Sequence, residues 1–296
     1  MKHNVTCIIL NYNDAETTLG LLDYIKDFDS IDQILIVDNC SIDNSLRKLQ
    51  SHASKKISVI ETPKNGGYGY GNNYGMRYAI KNFGSDYLII ANPDVFFENE
   101  AIEKFKDFLD YHNEYAIVTG CQQGKKSHGW KEVNVVGDLL YNSIILNKIF
   151  NPREYSLEYF TDPYSDVYAV PGCFFMIKTF AMEDIGFYDE DFFLFEEEKV
   201  IAKKLKAKGW KSAVLNDVEY VHNHSVSISK SIKKLGEAKG LVLKSNKLYL
   251  HKYLGVSPKK MKLISVFHKY CVIESQIIEV VRRIKKRYFK ESWSHQ

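Results

Sequence analysis

The chain has 296 residues, of which 45% are hydrophobic and 26% charged, with a formal net charge of +3. This is ordinary globular composition with no internal repeat or low-complexity segment, and it allows one large core with an appendage. The small net charge excludes a chain that is basic throughout, but the excess is local: Lys252 to Lys290 holds eleven Lys or Arg against two acidic residues, Glu274 and Glu279.

The first segment, "MKHNVTCIILNYND", reads as a strand over 5–10 rather than a signal peptide, because its apolar run is too short. "DAETTLGLLDYIKDF" (14–28) then has helical spacing, with Leu19, Leu22 and Ile25 on one side. "QILIVD" (33–38) is a second strand. "SIDNSLRKLQSH" (41–52) predicts a helix opening on a Ser N-cap. "ISVIET" (57–62) is a third strand, followed by a Gly-rich loop, "PKNGGYGYGNN" (63–73), and the helical "YGMRYAIKNF". "DYLIIA" (86–91) is a fourth strand that stops at Asn92-Pro93-Asp94, "NEAIEKFKDFLDYH" (99–112) a helix and "YAIVTG" (115–120) a fifth strand.

Residues 121–165 read as loops and a short helix. "VYAVPGCFFMIK" (167–178) reads as two short strands around Pro171-Gly172. A helix is expected from near Glu196, and "SAVLNDVEYVHNHSVSIS" (212–229) as strand then loop. Two long helical patterns broken by "LGVSPKK" (254–260) complete the chain. No run of about 18 apolar residues occurs, so no membrane span is expected.

Strands alternating with amphipathic helices predict an α/β fold, with a Rossmann-like, mostly parallel sheet covered on both faces. The expected division is an α/β domain over 1–229 and a helical C-terminal extension over 230–296. Ligands in such sheets bind at the carboxyl ends of strands. Four polar features fall on that edge: Asn11-Tyr12-Asn13-Asp14, Asp38-Asn39, the Gly-rich loop and Asn92-Pro93-Asp94.

Each candidate has a plain structural reading beside the functional one. Pro93 removes a donor and biases Asn92 toward extended geometry, halting the strand with Asp94 facing outward. The tripeptide is a turn, or a carboxylate that holds Mg2+ or Mn2+ against a diphosphate. The Gly-rich loop is a flexible turn or a phosphate cradle. It is neither a dinucleotide fingerprint, whose third glycine would fall on Asn72, nor a P-loop. The three carboxylates of "FEEEK" (195–199) favour a helix dipole or supply a general base for a sugar hydroxyl. His222 and His224 of "VHNHS" form a metal pair, lie in a surface loop, or lend one histidine to the same ion as Asp94. The five scattered cysteines contain no CxxC pair, which argues against structural zinc and suits a reducing cytoplasm. The tail helix "HKYCVIESQIIEVVRRIKKRYFK" (268–290) has an apolar face with Lys and Arg elsewhere. It suits an anionic membrane surface, docking on the catalytic domain, or a homodimer; nucleic acid is disfavoured for want of a recognised binding module.

In order, "VTCIILNYND", "ILIVDNCSIDNS", "PKNGGYGYGNNYGMRYAI", "DYLIIANPDV", "GCFFMIK", "IGFYDEDFFLFEEEKVIAKKLKAKGW" and "VHNHSVSIS" resemble a family 2 glycosyltransferase of the GT-A fold, over roughly 1 to 229. Asn-Pro-Asp in place of Asp-x-Asp is similar to rhamnosyltransferase-like enzymes that build bacterial surface polysaccharide. The resemblance implies that Asp38 recognises the nucleotide base, with Asn11, Tyr12 and Asn39 around that pocket. It implies that Gly66, Gly67 and Asn73 border the sugar or diphosphate, and that Asn92 and Asp94 occupy the metal and ribose-diphosphate motif. His222 matches a late metal-linked histidine five residues before Ser227. The base motif falls on Glu197 and Glu198, with Glu198 as the base. Three departures stand out: Asn92 replaces the first Asp, the base motif reads Glu-Glu, and Val200 stands where a second acidic residue is often found.

The implied activity is inverting transfer from a nucleotide diphosphate sugar, dTDP- or UDP-linked, to a glycan or lipid-linked glycan acceptor. The implied cofactor is Mg2+ or Mn2+, and the implied location the cytoplasm, at the inner face of the cell membrane. Two rivals are a sugar-phosphate nucleotidyltransferase, whose Gly-rich signature with Arg and Lys is missing from "LNYNDAETT", and a sugar-nucleotide-binding partner subunit without turnover.

Overall fold

A computed structural model describes residues 3–223 and 235–293, with side chains described up to 223 and from 238 to 284. The chain divides into two compact units, Met1–Glu132 with Glu154–Ser227, and Val133–Arg153 with Ile228–Gln296. The stretch 133–153, assigned by sequence to the first domain, thus folds with the C-terminal helices.

The first unit begins with β1 (Val5–Asn11), α1 (Ala15–Ile25), β2 (Gln33–Asp38), α2 (Ser45–Gln50), β3 (Ile57–Glu61), α3 (Tyr68–Phe83) and β4 (Tyr87–Ala91). It continues with β5 (Val95–Phe97), α4 (Asn99–Tyr111) and β6 (Tyr115–Gln122). In the second unit, α5 (Val135–Asn142) and α6 (Ile144–Phe150) follow. The chain returns to the first unit as a short 3-10 turn, β7 (Tyr164–Val167), β8 (Phe174–Lys178), α7 (Thr179–Asp184), α8 (Glu197–Ala207) and β9 (Lys211–His222). The second unit closes with α9 (Leu235–Lys252) and α10 (Pro258–Trp293).

The sheet order is β3-β2-β1-β4-β8-β6-β9-β5, with β7 beside β9. The first four strands run parallel, as alternation with helices requires. Beyond β4 the sheet is mixed: β8 enters antiparallel to both β4 and β6, and β5 and β7 run antiparallel to β9. Alternating side chains separate two cores. Cys7, Ile9, Ile34, Ile36 and Ile89 pack with Leu21 and Leu22 of α1 and Ile102 and Phe105 of α4. Ile8, Leu35, Val37, Leu88 and Ile90 pack with Met76 of α3, Met182 of α7 and Ile201 of α8. Each such fully buried side chain contributes about 1.5–3 kcal/mol, and β1, β2 and β4 are accordingly apolar on both faces, with their polar residues near the ends.

Two local expectations change. The second helix starts at Ser45 behind Asn44, not at Ser41. Ser41 instead donates from Oγ and from its backbone N–H to Asp38, at 2.7 and 2.8 Å, which holds the loop open ahead of the helix. Most of the Gly-rich stretch is helix, because α3 begins at Tyr68. Among the described residues, no helix is long and apolar enough to cross a membrane.

Candidate active site

Strand register assembles the polar edge. Asn11 lies opposite Asp38, so β1 and β2 end level, and Ile9 lies opposite Ala91, so β4 ends two residues earlier on the same edge. Asp38 is fully buried and accepts from Asn11 Nδ2 at 2.7 Å as well as from Ser41. Asn11 Oδ1 accepts from Thr18 at 2.8 Å. Asn39 donates to Asn65 and to the Gly67 carbonyl, both at 3.1 Å, tying β2 to the start of α3. Tyr12 is exposed beside this network.

The antiparallel entry of β8 supplies the next part. Phe174 faces Ala91, so the loop before β8 meets the loop after β4, and the Asn92 N–H donates to the Cys173 carbonyl at 2.8 Å. Val95 pairs with His222 across β5 and β9, which sets Asp94 beside that histidine. The Asp94 carboxylate stands 3.2 Å from His222 Nε2. Asp94 was expected to face outward but is only 6% exposed; a carboxylate can remain there because an imidazole partner compensates its lost hydration. Burial opposes charging of His222, but hydrogen bonds to Asp94 and Cys173 outweigh it and push the imidazole up to about 9. His224, Ser225 and Ser227 lie outside the described residues.

The Glu-rich motif reaches the same loop from the other side. Phe195 and Glu196 both have left-handed backbone, with φ of 73° and 78°, an arrangement that L-residues adopt at a cost. This turn sets the start of α8, where Glu196 forms a buried ion pair with Lys199. Glu197 is buried, and Glu198 lies against Gly172. A Cβ on Gly172 would come within 2.9 Å of Glu198 Oε1. Burial, reinforced by the Glu198 charge, pushes the Glu197 carboxyl up to about 8. The Tyr68 hydroxyl donates to the Gly172 carbonyl at 2.7 Å and approaches Asn92 Oδ1 at 3.4 Å. Burial, then Tyr188 and the two carboxylates, raise the Tyr68 phenol well above its ordinary value, so it stays a donor.

The Gly-rich stretch positions α3 against residues 186–195. Gly67 has φ 93°, a β-carbon there would collide with the Phe193 carbonyl, and the Tyr68 N–H donates to that same carbonyl at 2.9 Å. Gly66 is packed closely over Tyr70. Asn73 is fully buried: its Nδ2 donates to the Tyr188 carbonyl at 3.0 Å and to Glu190 at 2.8 Å, and its Oδ1 accepts from the Tyr188 N–H at 2.9 Å. Its hydrogen bonds are thus made to the protein.

Asn92, Asp94, His222 and Glu198 therefore converge around Gly172-Cys173, while Asn11, Asp38 and Asn39 form a separate network at the ends of β1 and β2. Sequence reasoning missed Tyr68, Gly172, Cys173 and Tyr188. Pro171-Gly172 carried only a turn signal, and the tyrosines sat in aromatic-rich stretches with nothing to single them out.

A mixed sheet with this polar edge defines a GT-A-like transferase fold. The mannosyltransferase PcManGT from Pyrobaculum calidifontis, solved with GDP-Man and Mn2+, superposes with a TM-score of 0.61 at 14% identity, covering 93% of this chain and 73% of that one. TarS of S. aureus gives 0.50 at 17% identity, covering 75% of this chain and 37% of TarS. This chain thus spans well under half of TarS. A hexosyltransferase for low-salt glycan biosynthesis, Agl10 of Haloferax volcanii, is 26% identical over 226 residues, 76% of this chain and 69% of Agl10. The model of Glycosyl transferase family 2 matches residues 6–186. The chain belongs to glycosyltransferase family 2.

Proposed function

We propose that this protein moves a hexosyl group from a nucleotide diphosphate sugar to a hydroxyl of a glycan or lipid-linked glycan, with inversion at the anomeric carbon. The observation that carries this reading is the convergence of the Asn92–Asp94 loop and Glu198 on Gly172-Cys173. A donor-binding motif and a carboxylate base need such proximity.

Asp38 and Asn11 order the loops where the nucleoside would lie, with exposed Tyr12 beside them, and Asn39 and Thr62 fix the approach of α3. Gly66, Gly67 and Asn73 shape the diphosphate and sugar side through contacts with Tyr70, Phe193 and Tyr188. Glu198 accepts the proton of the acceptor hydroxyl as its oxygen bonds to the anomeric carbon. The bond to the diphosphate breaks, and the nucleoside diphosphate leaves with the electron pair. No covalent enzyme intermediate is required. Burial and the neighbouring Glu198 charge raise the Glu197 carboxyl, which favours a single negative charge on the pair over two adjacent ones.

The donor set fits a divalent cation. Asp94 offers oxygen and His222 a nitrogen once its Nε2 proton is displaced, and Mg2+ or Mn2+ bound there would complete its shell with diphosphate oxygens and water. Among the described residues no group of three or more His, Cys, Asp or Glu forms a complete site by itself. Bound there, the ion would neutralise charge on the leaving group. Support comes from PcManGT, solved with GDP-Man and Mn2+. Synthesis of a bacterial surface polysaccharide or capsule at the cytoplasmic face of the membrane is the setting that suits this activity.

A thermal-shift screen of UDP-, GDP- and dTDP-sugars, dTDP-rhamnose included, with and without Mn2+ tests the reading. A selective donor should raise Tm by mass action, and product should then form with a hydroxyl acceptor. Binding without turnover would favour a non-catalytic partner subunit.

A further inference from the structure

In the second unit, α10 packs with the wrong face outward for a helix of a free-standing soluble protein. Among its described residues Ile264, His268, Cys271, Glu274 and Ser275 are buried. Glu274 accepts from Ser143 Oγ at 2.8 Å and from the Ile144 and Ile145 N–H groups at 2.7 and 3.1 Å, satisfying the start of α6. The opposite face is apolar and exposed. Leu263, Val266, Tyr270, Ile273, Ile277, Val280 and Ile284 recur at alternating intervals of three and four, and Leu263 is 74% exposed. Ile145, Ile149 and Phe150 of α6 are exposed in the same unit. Burying polar groups while leaving such a stripe in water is unfavourable unless something covers the stripe.

Charge selects the occupant. The three-four spacing suits either a coiled-coil partner or the apolar side of an interfacial helix. However, 252–290 carries eleven cationic residues against two acidic ones, and Lys262 and Lys269 are exposed on α10. Two copies paired along the stripe would bring these like charges together. An anionic bilayer surface accepts the apolar stripe at its acyl boundary and the cations at its headgroups.

We propose that α10 binds in the plane of an anionic bilayer surface through its Leu263–Ile284 stripe, with its cationic residues at the headgroups. The reading is independent of sugar transfer, so it can fail while the transferase assignment stands.

The test is flotation of the full chain with vesicles of phosphatidylcholine and phosphatidylglycerol, against pure phosphatidylcholine, with sedimentation equilibrium in the absence of lipid. The expected result is a monomer that floats with anionic vesicles only. Ile273→Ser with Ile277→Ser should weaken binding by about tenfold or more, each removing roughly an isoleucine's worth of buried area. Lys262→Glu with Lys269→Glu should do likewise without touching the stripe. All these positions are exposed, so circular dichroism should stay unchanged. Failure to float, equal binding to neutral vesicles, or a dimer that dissociates in the isoleucine variant would each overturn the proposal, the last in favour of a second copy.

Discussion

The Tyr68 hydroxyl donates to the Gly172 carbonyl at 2.7 Å, joining residues 104 apart in the chain. Glu198 rests on Gly172, and the next residue, Cys173, accepts from the Asn92 backbone. Tyr68→Phe removes one buried hydrogen bond and should cost about 1–3 kcal/mol of stability. Its larger effect should be on kcat, measured against unchanged far-ultraviolet circular dichroism, because both halves of the site lose their common brace.

Gly172→Ala should be more severe for activity than for folding. The added β-carbon would press on Glu198 at 2.9 Å from Oε1 and 3.1 Å from Cγ, so the carboxylate has to turn away. We expect kcat to fall on the order of a hundredfold, as misplacement of a catalytic group by about 1 Å does. Denaturant unfolding should show a loss of about 1–3 kcal/mol, the usual penalty for overpacking.

The two glutamates should separate in substitution. Glu198→Gln should abolish detectable transfer while donor binding, read by thermal shift, persists. Glu197→Gln should chiefly change the pH dependence of stability. Burial and the Glu198 charge push the native carboxyl up to about 8 from its ordinary 4.5, so the native state binds more protons between those values. Stability from this group is present below about 4.5 and is lost as pH rises toward 8. Urea unfolding at pH 5 and 8 should show the variant relatively more stable than the wild type at pH 8, with a flatter profile.

Asp94→Ala should leave His222 in its buried place without its carboxylate. Breaking a buried pair of this kind costs about 3–5 kcal/mol. Transfer should be lost in the variant, and wild-type transfer should fall with chelator and recover with added Mn2+ or Mg2+. Wild-type activity that is unaffected by chelator would remove the cation from the proposed chemistry.

The sequence by itself determined the strand and helix order of the first unit as far as β6, apart from the short β5, and again for α8 and β9. Buried strands are apolar on both faces and helices carry a 3.6-residue stripe, and both signals are local. It also located the polar strand ends at Asn11, Asp38 and Asn92. It did not show that β8 runs antiparallel, because pairing direction depends on which partner a strand finds rather than on its own residues. That reversal is what carries Gly172-Cys173 to the end of β4 and makes one site from segments a hundred residues apart. Likewise, the amphipathic pattern of α10 was legible, but which side it buries was not. The fold turned the side holding Ile264, His268, Glu274 and Ser275 inward, where Glu274 satisfies the backbone at the start of α6, an interaction between residues 130 positions apart.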